Sequence, residues 1–321
     1  MKVLSLFTGI GAFEKALTNI GIDYELVGFS EIDKYAIKSY CAIHNVNESL
    51  NLGDITKIEK EKLPRFIDLI THGSPCQDFS VAGLQAGGDI GSKTRSSLMW
   101  NTVDIVEWCL PKYVIWENVK NLLSKKHRHN FDSYIEIMNK LGYNSYYQVL
   151  NAKDYGIPQN RERVYTISIR KDIDKGNFIF PEKQELKIRL KDVLEDNVEE
   201  KYYLSEEVAS KYVQSKENNT NVTGNLVMDK WQDSMKRIYD IEKYSPAINT
   251  MQGGNLEPKI IINGRIRKLT PKECWRLMGF SDKDFEKAAN VPTSNTQLYK
   301  QAGNSIVVPV LEKIFLNLLK E

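Results

Sequence analysis

The chain reads as a doubly wound α/β protein, and three observations carry that reading. Short apolar runs of strand character alternate with segments of helical spacing through the first half. A glycine turn follows the first of those runs. An amphipathic stretch over residues 306–319 closes the chain. Strands that alternate with helices require crossover connections, and so a largely parallel sheet with helices on both faces. A length of 321 residues suits one large domain with a smaller one attached.

In order, residues 3–7 form the first strand. The turn Gly9-Ile10-Gly11 leads into a helix over 12–20, which stops at Gly21. A second strand over 24–29 precedes a helix over 33–43. Strands follow at 67–71 and 113–116, with a helix over 98–109 between them, and further strands at 148–150 and 164–169. After Pro181 the character changes. Residues 187–263 are polar, with an Asn218-Asn219-Thr220-Asn221 run and a Gly253-Gly254 pair, as in a loop-rich inserted domain. Regular order returns at Arg267. The expected division is a main domain of residues 1–185 and 268–321 around an insertion at 186–267.

Composition narrows the class. An apolar fraction of 41% with 27% charged residues belongs to a folded chain, not a disordered one. A net charge of +2 sets up no global field, so a nucleic-acid reader of this kind has to concentrate its cations locally. Cys41, Cys76, Cys109 and Cys274 form no C-x-x-C pair and have no histidine at zinc spacing, so neither a disulfide scaffold nor a metal site is expected. Reduced thiols point to the cytoplasm. The apolar start breaks off at Thr8-Gly9, unlike a signal peptide, and no apolar run approaches the roughly 18 residues that span a membrane.

Several residues stand where an α/β sheet does its chemistry. Gly9 and Gly11 allow a ligand to approach the backbone, although the full G-x-G-x-x-G fingerprint is absent. Glu31 ends the second strand, where it could take ribose hydroxyls, and Asp54 occupies a similar junction. These suggest an adenosine-containing ligand, with ordinary turn glycines and capping acids as the alternative. Cys76, in Gly73-Ser74-Pro75-Cys76, follows a strand, and glycines at 83, 87, 88 and 91 after it resemble a closing lid. Glu117 comes directly after the strand at 113–116. Arg161 and Arg163 alternate by two, so an extended segment turns them the same way. Gly303-Asn304-Ser305 opens the final helix, where backbone amides are free to hold a ligand. Taken singly, each has a bland reading as core, cap or solvated edge.

Their order does not. Phe7-Thr8-Gly9-Ile10-Gly11, Pro75-Cys76-Gln77, Glu117-Asn118-Val119, Gln159-Asn160-Arg161-Glu162-Arg163 and Gly303-Asn304-Ser305 together resemble the DNA cytosine-5 methyltransferase family, compact bacterial or phage type. Arg267-Lys268-Leu269-Thr270-Pro271 and Arg276-Leu277-Met278-Gly279 look like a further motif of it. The resemblance implies a Rossmann-like methyltransferase sheet with a target-recognition domain at 186–267. It implies S-adenosyl-L-methionine as methyl donor, surrounded by Phe7, Gly9, Gly11, Glu31, Ile32, Asp54, Ile55, Pro75, Asn304 and Ser305. Cys76 becomes the nucleophile, Glu117 the group at cytosine nitrogen 3, and Arg161 and Arg163 act near the base and its phosphate. Gln77, Ser80, Lys93, Arg95, Thr250, Gly253 and Gly254 become candidate DNA contacts, with no metal. Double-stranded DNA is the partner, a cognate restriction endonuclease a further one without a stable complex, and the enzyme is expected as a monomer. Ser5, Ala12 and Ile32 depart from residues common in the family around the cofactor.

The chemistry needs these groups. Carbon 5 of cytosine is a poor nucleophile until a thiolate adds at carbon 6. A free thiol, with a pKa of about 8.5, is only a few per cent ionised at neutral pH, and a nearby arginine would help. A glutamic acid ordinarily titrates at about 4.3, so burial has to raise Glu117 if it is to donate to nitrogen 3. The target base must leave the stack, at a cost of a few kcal/mol. Lys93 and Arg95, and beyond Glu117 the residues Lys120, Lys125, Lys126 and Arg128, are placed to meet phosphate. Three rivals stay open on the sequence: the same reaction on transfer RNA, an inactive DNA-binding regulator, and a nicotinamide oxidoreductase.

Overall fold

The computed structural model describes residues 1–64, 66–75, 79, 87–92, 94–215, 220–251 and 255–319. The chain divides into two compact units. One comprises Met1–Leu150, Glu162–Glu182 and Val310–Glu321, the other Asn151–Arg161 and Lys183–Pro309. The second unit is wider than the polar tract at 186–267, because ordered segments before and after that tract belong to it.

The first unit is built on a six-stranded sheet. Its strands β1 (Lys2–Leu6), β2 (Glu25–Ser30), β3 (Leu69–His72) and β4 (Tyr113–Val119) run parallel, followed in the chain by β5 (Tyr143–Asn151). A two-residue strand β6 (Gln159–Asn160) belongs to the second unit, and β7 (Glu162–Arg170) returns to the first, antiparallel to β4. The order is β2-β1-β3-β4-β7-β5. Helices α1 (Ala12–Asn19), α2 (Lys34–His44), α3 (Met99–Cys109) and α4 (Arg128–Lys140) make the crossovers. The central strands are covered on both faces, which is why they read as continuous apolar runs: Leu4, Ile70 and Val114 are fully buried. Where polar side chains enter, they pair, as Thr71 donates to Ser5 at 3.0 Å between β3 and β1. Helix α2 starts where it does because the Asp33 carboxylate accepts from the amides of Tyr35 and Ala36.

One boundary differs from expectation in a way that matters. β4 runs on to Val119, so Glu117 sits inside the strand, not beyond it. Glutamate and asparagine are poor strand formers. Their pairing with β7, from Tyr113↔Ile169 to Val119↔Arg163, supplies the ladder that the local sequence does not advertise.

The second unit holds α5 (Glu206–Ala209), β8 (Tyr212–Gln214), β9 (Val222–Leu226), α6 (Asp233–Lys236), β10 (Arg237–Tyr239), β11 (Ser245–Pro246), β12 (Lys259–Ile262) and β13 (Arg265–Lys268). Five of these strands form a sheet in the order β13-β12-β10-β9-β8, and β11 pairs with β6. Then come α7 (Pro271–Arg276), α8 (Asp282–Ala289) and α9 (Asn295–Asn304). The run from Arg267 to Glu273 is a buried knot. Both Arg267 guanidinium nitrogens NH1 and NH2 donate to the Glu273 carboxylate, at 2.8 and 2.7 Å. Glu273 closes a capping box with Thr270, and Pro271 takes the first position of α7. The closing helix α10 (Val308–Leu318) rejoins the first unit. There Phe315 meets Phe13 of α1 edge-on at 6.5 Å, and Asn19 donates to Glu312. Among the described residues no helix is long and apolar enough to cross a membrane.

Candidate active site

The carboxyl ends of β1, β2 and β3 gather the first group of expected residues. Phe7, Gly9 and Gly11 all take left-handed backbone conformations, with φ of 54°, 55° and 81°. For the glycines this is free; for Phe7 it costs on the order of 1–2 kcal/mol. Glu31 knits the turn to the start of α2. Its Oε2 accepts from the Gly9 amide at 2.9 Å, and its Oε1 accepts from Ile32 and Asp33 at 2.8 and 2.9 Å. A carboxylate offers about four acceptor sites, so one is left on Oε2 for a hydroxyl. Asn51, which the sequence reading passed over, fixes the Glu31 backbone from both sides: its Oδ1 accepts from the Glu31 amide and its Nδ2 donates to the Glu31 carbonyl.

These residues fit an adenosine-containing donor. Ile32 holds its side chain 73% exposed beside Glu31, a large apolar surface with no protein cover. The space a side chain would occupy at Gly9 is open, and the buried Thr8 hydroxyl in the same turn has no hydrogen-bond partner among the described residues. Asp54 caps the turn at Ile55–Lys57; bonds from the Thr56 amide and hydroxyl hold its carboxyl below the usual range. Ile55 belongs to the core, so only its backbone can face a ligand.

β4 organises the second group. Trp116 donates from its indole to Ser74 Oγ at 2.9 Å, and Asn118 Nδ2 donates to the Ser74 carbonyl at 3.2 Å. Two alternate residues of one strand therefore hold the segment that leads through Pro75 to position 76. Behind them, His72 stacks on Trp116 at 5.6 Å with the rings 6° apart, and complete burial pushes its pKa down to about 3, so it is neutral. The intervening residue, Glu117, points to the other face by strand alternation. There it forms an ion pair with Arg163, Nε to Oε1 at 3.1 Å, with the side chains 10% and 18% exposed. The contact is ionic, without the alignment of a hydrogen bond at Oε1. Register explains it: Arg163 faces Val119, and Glu117 is the diagonal neighbour on the same face.

Arg161, Asn304, Ser305 and Thr250 lie in the second unit. Arg161, expected near the base and its phosphate, has a buried guanidinium that donates to the carbonyls of Ile248, Gly303 and Ser305 at 2.7, 3.1 and 2.8 Å. Gln159 accepts from the Ile248 amide and donates to the Leu277 carbonyl. The two side chains are braces inside that unit. Asn304 and Ser305 need a correction: they end α9 and do not open the final helix, which begins at Val308. A helix C-terminus presents carbonyls, not free amides, and the Arg161 cation answers them. Asn304 is exposed; Ser305 is buried. Thr250 is half-buried, and Arg95 is exposed on the short turn Arg95–Leu98 of the first unit.

Cys76, Gln77, Ser80, Lys93, Gly253 and Gly254, together with most of the expected lid, lie outside the described residues. The sequence reading missed Asn51, Ser74 and Asn118 as positioning groups. Asn118 stood within a motif that was read, but nothing in one sequence says that a side-chain amide two residues past Trp116 reaches back to another loop.

The model of the family described as C-5 cytosine-specific DNA methylase matches residues 1–320. An orphan methyltransferase of Bacillus phage SPbeta, M.SPBetaI, is 40% identical, over 99% of this chain and 97% of its own. The type II methyltransferase M.HhaI of Haemophilus parahaemolyticus is 36% identical, over 99% and 94%. Among solved structures, the Entamoeba histolytica methyltransferase EhMeth superposes with a TM-score of 0.77 at 19% identity, covering 100% and 99% of the two chains. The S. pombe Dnmt2 methyltransferase gives 0.72 at 20%, covering 99% and 98%. At such identities the structural likeness shows the fold alone.

Proposed function

The chain belongs to the C-5 cytosine-specific DNA methylase family and is a DNA (cytosine-5) methyltransferase, and from that premise we propose that it methylates a cytosine swung out of a short specific duplex sequence, through a transient bond to Cys76. The family's donor, S-adenosylmethionine, supplies an electrophilic methyl group when bound. Gly9, Gly11, Glu31 and Ile32 hold it here, Glu31 through its remaining acceptor site and Ile32 as an apolar face. Asp54, Ile55, Pro75, Asn304 and Ser305 stay assigned to it by resemblance.

The chain's own groups divide the work. The Cys76 thiolate adds to carbon 6 of the base, and the electron pair moves toward nitrogen 3 and carbon 5. Glu117, ionised in its pair with Arg163, takes up a proton as the base enters and holds it at nitrogen 3, and Arg163 orients Glu117 and meets the base edge. Arg161, whose guanidinium braces the second unit, stays assigned near the base and its phosphate by resemblance. Once carbon 5 carries its methyl group, loss of its proton and departure of Cys76 restore the ring. The enzyme works as a monomer, alone or beside a cognate endonuclease. The observation that supports this most is the double duty of β4: Trp116 and Asn118 hold the approach to position 76 while Glu117, between them, is paired with Arg163.

A duplex carrying 5-fluorocytosine at the target traps such a bond, because fluorine cannot leave as the proton does. With S-adenosylmethionine present, a denaturation-resistant adduct is expected for the native chain and none for Cys76→Ser. No adduct despite measured duplex binding ends the proposal. Bisulfite sequencing of DNA from expressing cells supplies the recognition sequence, and parallel labelling of transfer RNA tests the RNA alternative.

A further inference from the structure

We infer that His44, which no part of the scheme above uses, is a positioning residue for the glycine turn that receives the methyl donor. The inference rests on the placement of that donor at Gly9–Gly11 and Glu31.

His44 is the last residue of α2, and its Nε2 lies 3.0 Å from the carbonyl oxygen of Ile10, the middle residue of the turn. A carbonyl only accepts, so Nε2 carries the hydrogen and donates. The ring is fixed from behind, tilted against Tyr40 with centroids 4.8 Å apart, and Tyr40 in turn packs on Phe29 of β2 at 4.5 Å. Tyr40 is fully buried, and burial together with the facing Glu14 carboxyl of α1 holds its hydroxyl in the protonated form. The imidazole is thus mounted on a rigid wall made by α1, α2 and β2.

That wall meets the turn without slack. A side-chain carbon at Gly11 would lie 2.2 Å from His44 Nε2 and 2.8 Å from Tyr40. Gly11 therefore has two reasons to lack a side chain, its φ of 81° and the imidazole against it. On the opposite side, at Gly9, the corresponding space is open. The turn is clamped between His44, which holds the Ile10 carbonyl, and Glu31, which holds the Gly9 amide. With both peptides on either side of Gly9 and Ile10 fixed, the open face of the turn keeps one shape before a ligand arrives. The Gly11 N–H of the same peptide also donates to the Thr8 carbonyl at 2.9 Å, so loss of the His44 bond leaves one of its two restraints, and ligand binding then has to supply the other.

Two variants separate the donor N–H from the bulk of the ring. His44→Phe keeps a flat ring against Tyr40 and Gly11 but cannot donate; His44→Gln keeps an N–H at similar reach. Calorimetric titration of each folded variant with S-adenosylmethionine, and steady-state kinetics on a methylatable duplex, are the readouts. His44→Phe should bind the donor about tenfold more weakly and raise its KM by the same factor with kcat little changed, the scale of one lost hydrogen bond. His44→Gln should recover most of that loss. Unchanged donor affinity in His44→Phe, no recovery in His44→Gln, or a fall in kcat at constant KM would each overturn the assignment. Glu31→Ala run alongside tells the two readings apart. If it loses donor affinity while His44→Phe does not, the placement of the donor stands and the role of His44 fails. If neither variant loses affinity, the placement itself is wrong.

Discussion

At the scale of single residues, the roles proposed for Glu117 and Arg163 rest on one ion pair. Glu117 is almost buried, inside a strand, and its neighbour in charge is an arginine on the adjoining strand. Such a pair fixes the carboxyl group in space before a base arrives. Exposed pairs contribute under about 1 kcal/mol to stability, and this one, only partly shielded, stands a little above that class. Its removal should therefore tell far more on turnover than on folding. Glu117→Gln keeps shape and size but has no acid proton to place at nitrogen 3. We expect kcat to fall about 10²–10⁴-fold, with the KM for the methyl donor unchanged and the melting temperature within a few degrees of native. Parallel initial-rate and thermal-denaturation measurements check both halves. A kcat within tenfold of native would remove Glu117 from the reaction. The neighbouring Arg161 shows the limit of reading spacing alone. An alternation of two puts residues on one face only where both are in the same strand, and Arg161 falls between β6 and β7.

At the scale of elements, the same motif turns out to be structural carpentry. Gln159 and Arg161 reach into the segment at Ile248, and Arg161 also takes the carbonyls at the end of α9. Gly303, one residue before that end, exists because the backbone of Asn249 and Thr250 lies against it: a side-chain carbon there would come within 2.1 Å of the Asn249 carbonyl oxygen. Backbone cannot move aside as a side chain can, so Gly303→Ala should cost about 1–3 kcal/mol and lower the melting temperature by several degrees, measurable by calorimetry. An unchanged melting temperature would mean that α9 and the 248–250 segment do not pack this way in solution. This is also where the sequence was least legible. Strand-helix alternation is a local signal, and β1, β2, α2, β3 and α3 were visible within a residue or two. α9 was not, because its sequence, Asn295–Asn304, carries little apolar periodicity and ends in the Gly-Asn-Ser run that reads equally well as a start. The short strands of the second unit were hidden for a related reason: runs of two to five residues are too short for alternation to show, and pairing partners leave no mark in composition. Motif order, by contrast, revealed the family even where no single element did.

For the whole molecule the decisive quantity is how little net charge there is. A protein at +2 that grips a polyanion must do so with a few well-placed cations, and the structure thins the candidates. Lys120 is paired with Glu162 at 3.0 Å, and Arg128 is held by Asp132 and by the Tyr147 hydroxyl. Lys125 and Lys126 are exposed and, among the described residues, have no acidic partner. Each phosphate neutralised releases condensed counterions, so the logarithm of the binding constant falls with the logarithm of salt concentration at about 0.9 per contact. Replacing Lys125 or Lys126 with alanine should flatten that slope by about one unit each, at any duplex sequence, because a phosphate contact carries no base information. Arg128→Ala should change it less, since its guanidinium must first leave Asp132. Fluorescence anisotropy of a labelled duplex titrated at several salt concentrations measures all three. If the lysine variants leave the slope untouched while Arg128→Ala flattens it, the ion pair seen here yields to phosphate, and the DNA-facing charges have been assigned the wrong way round.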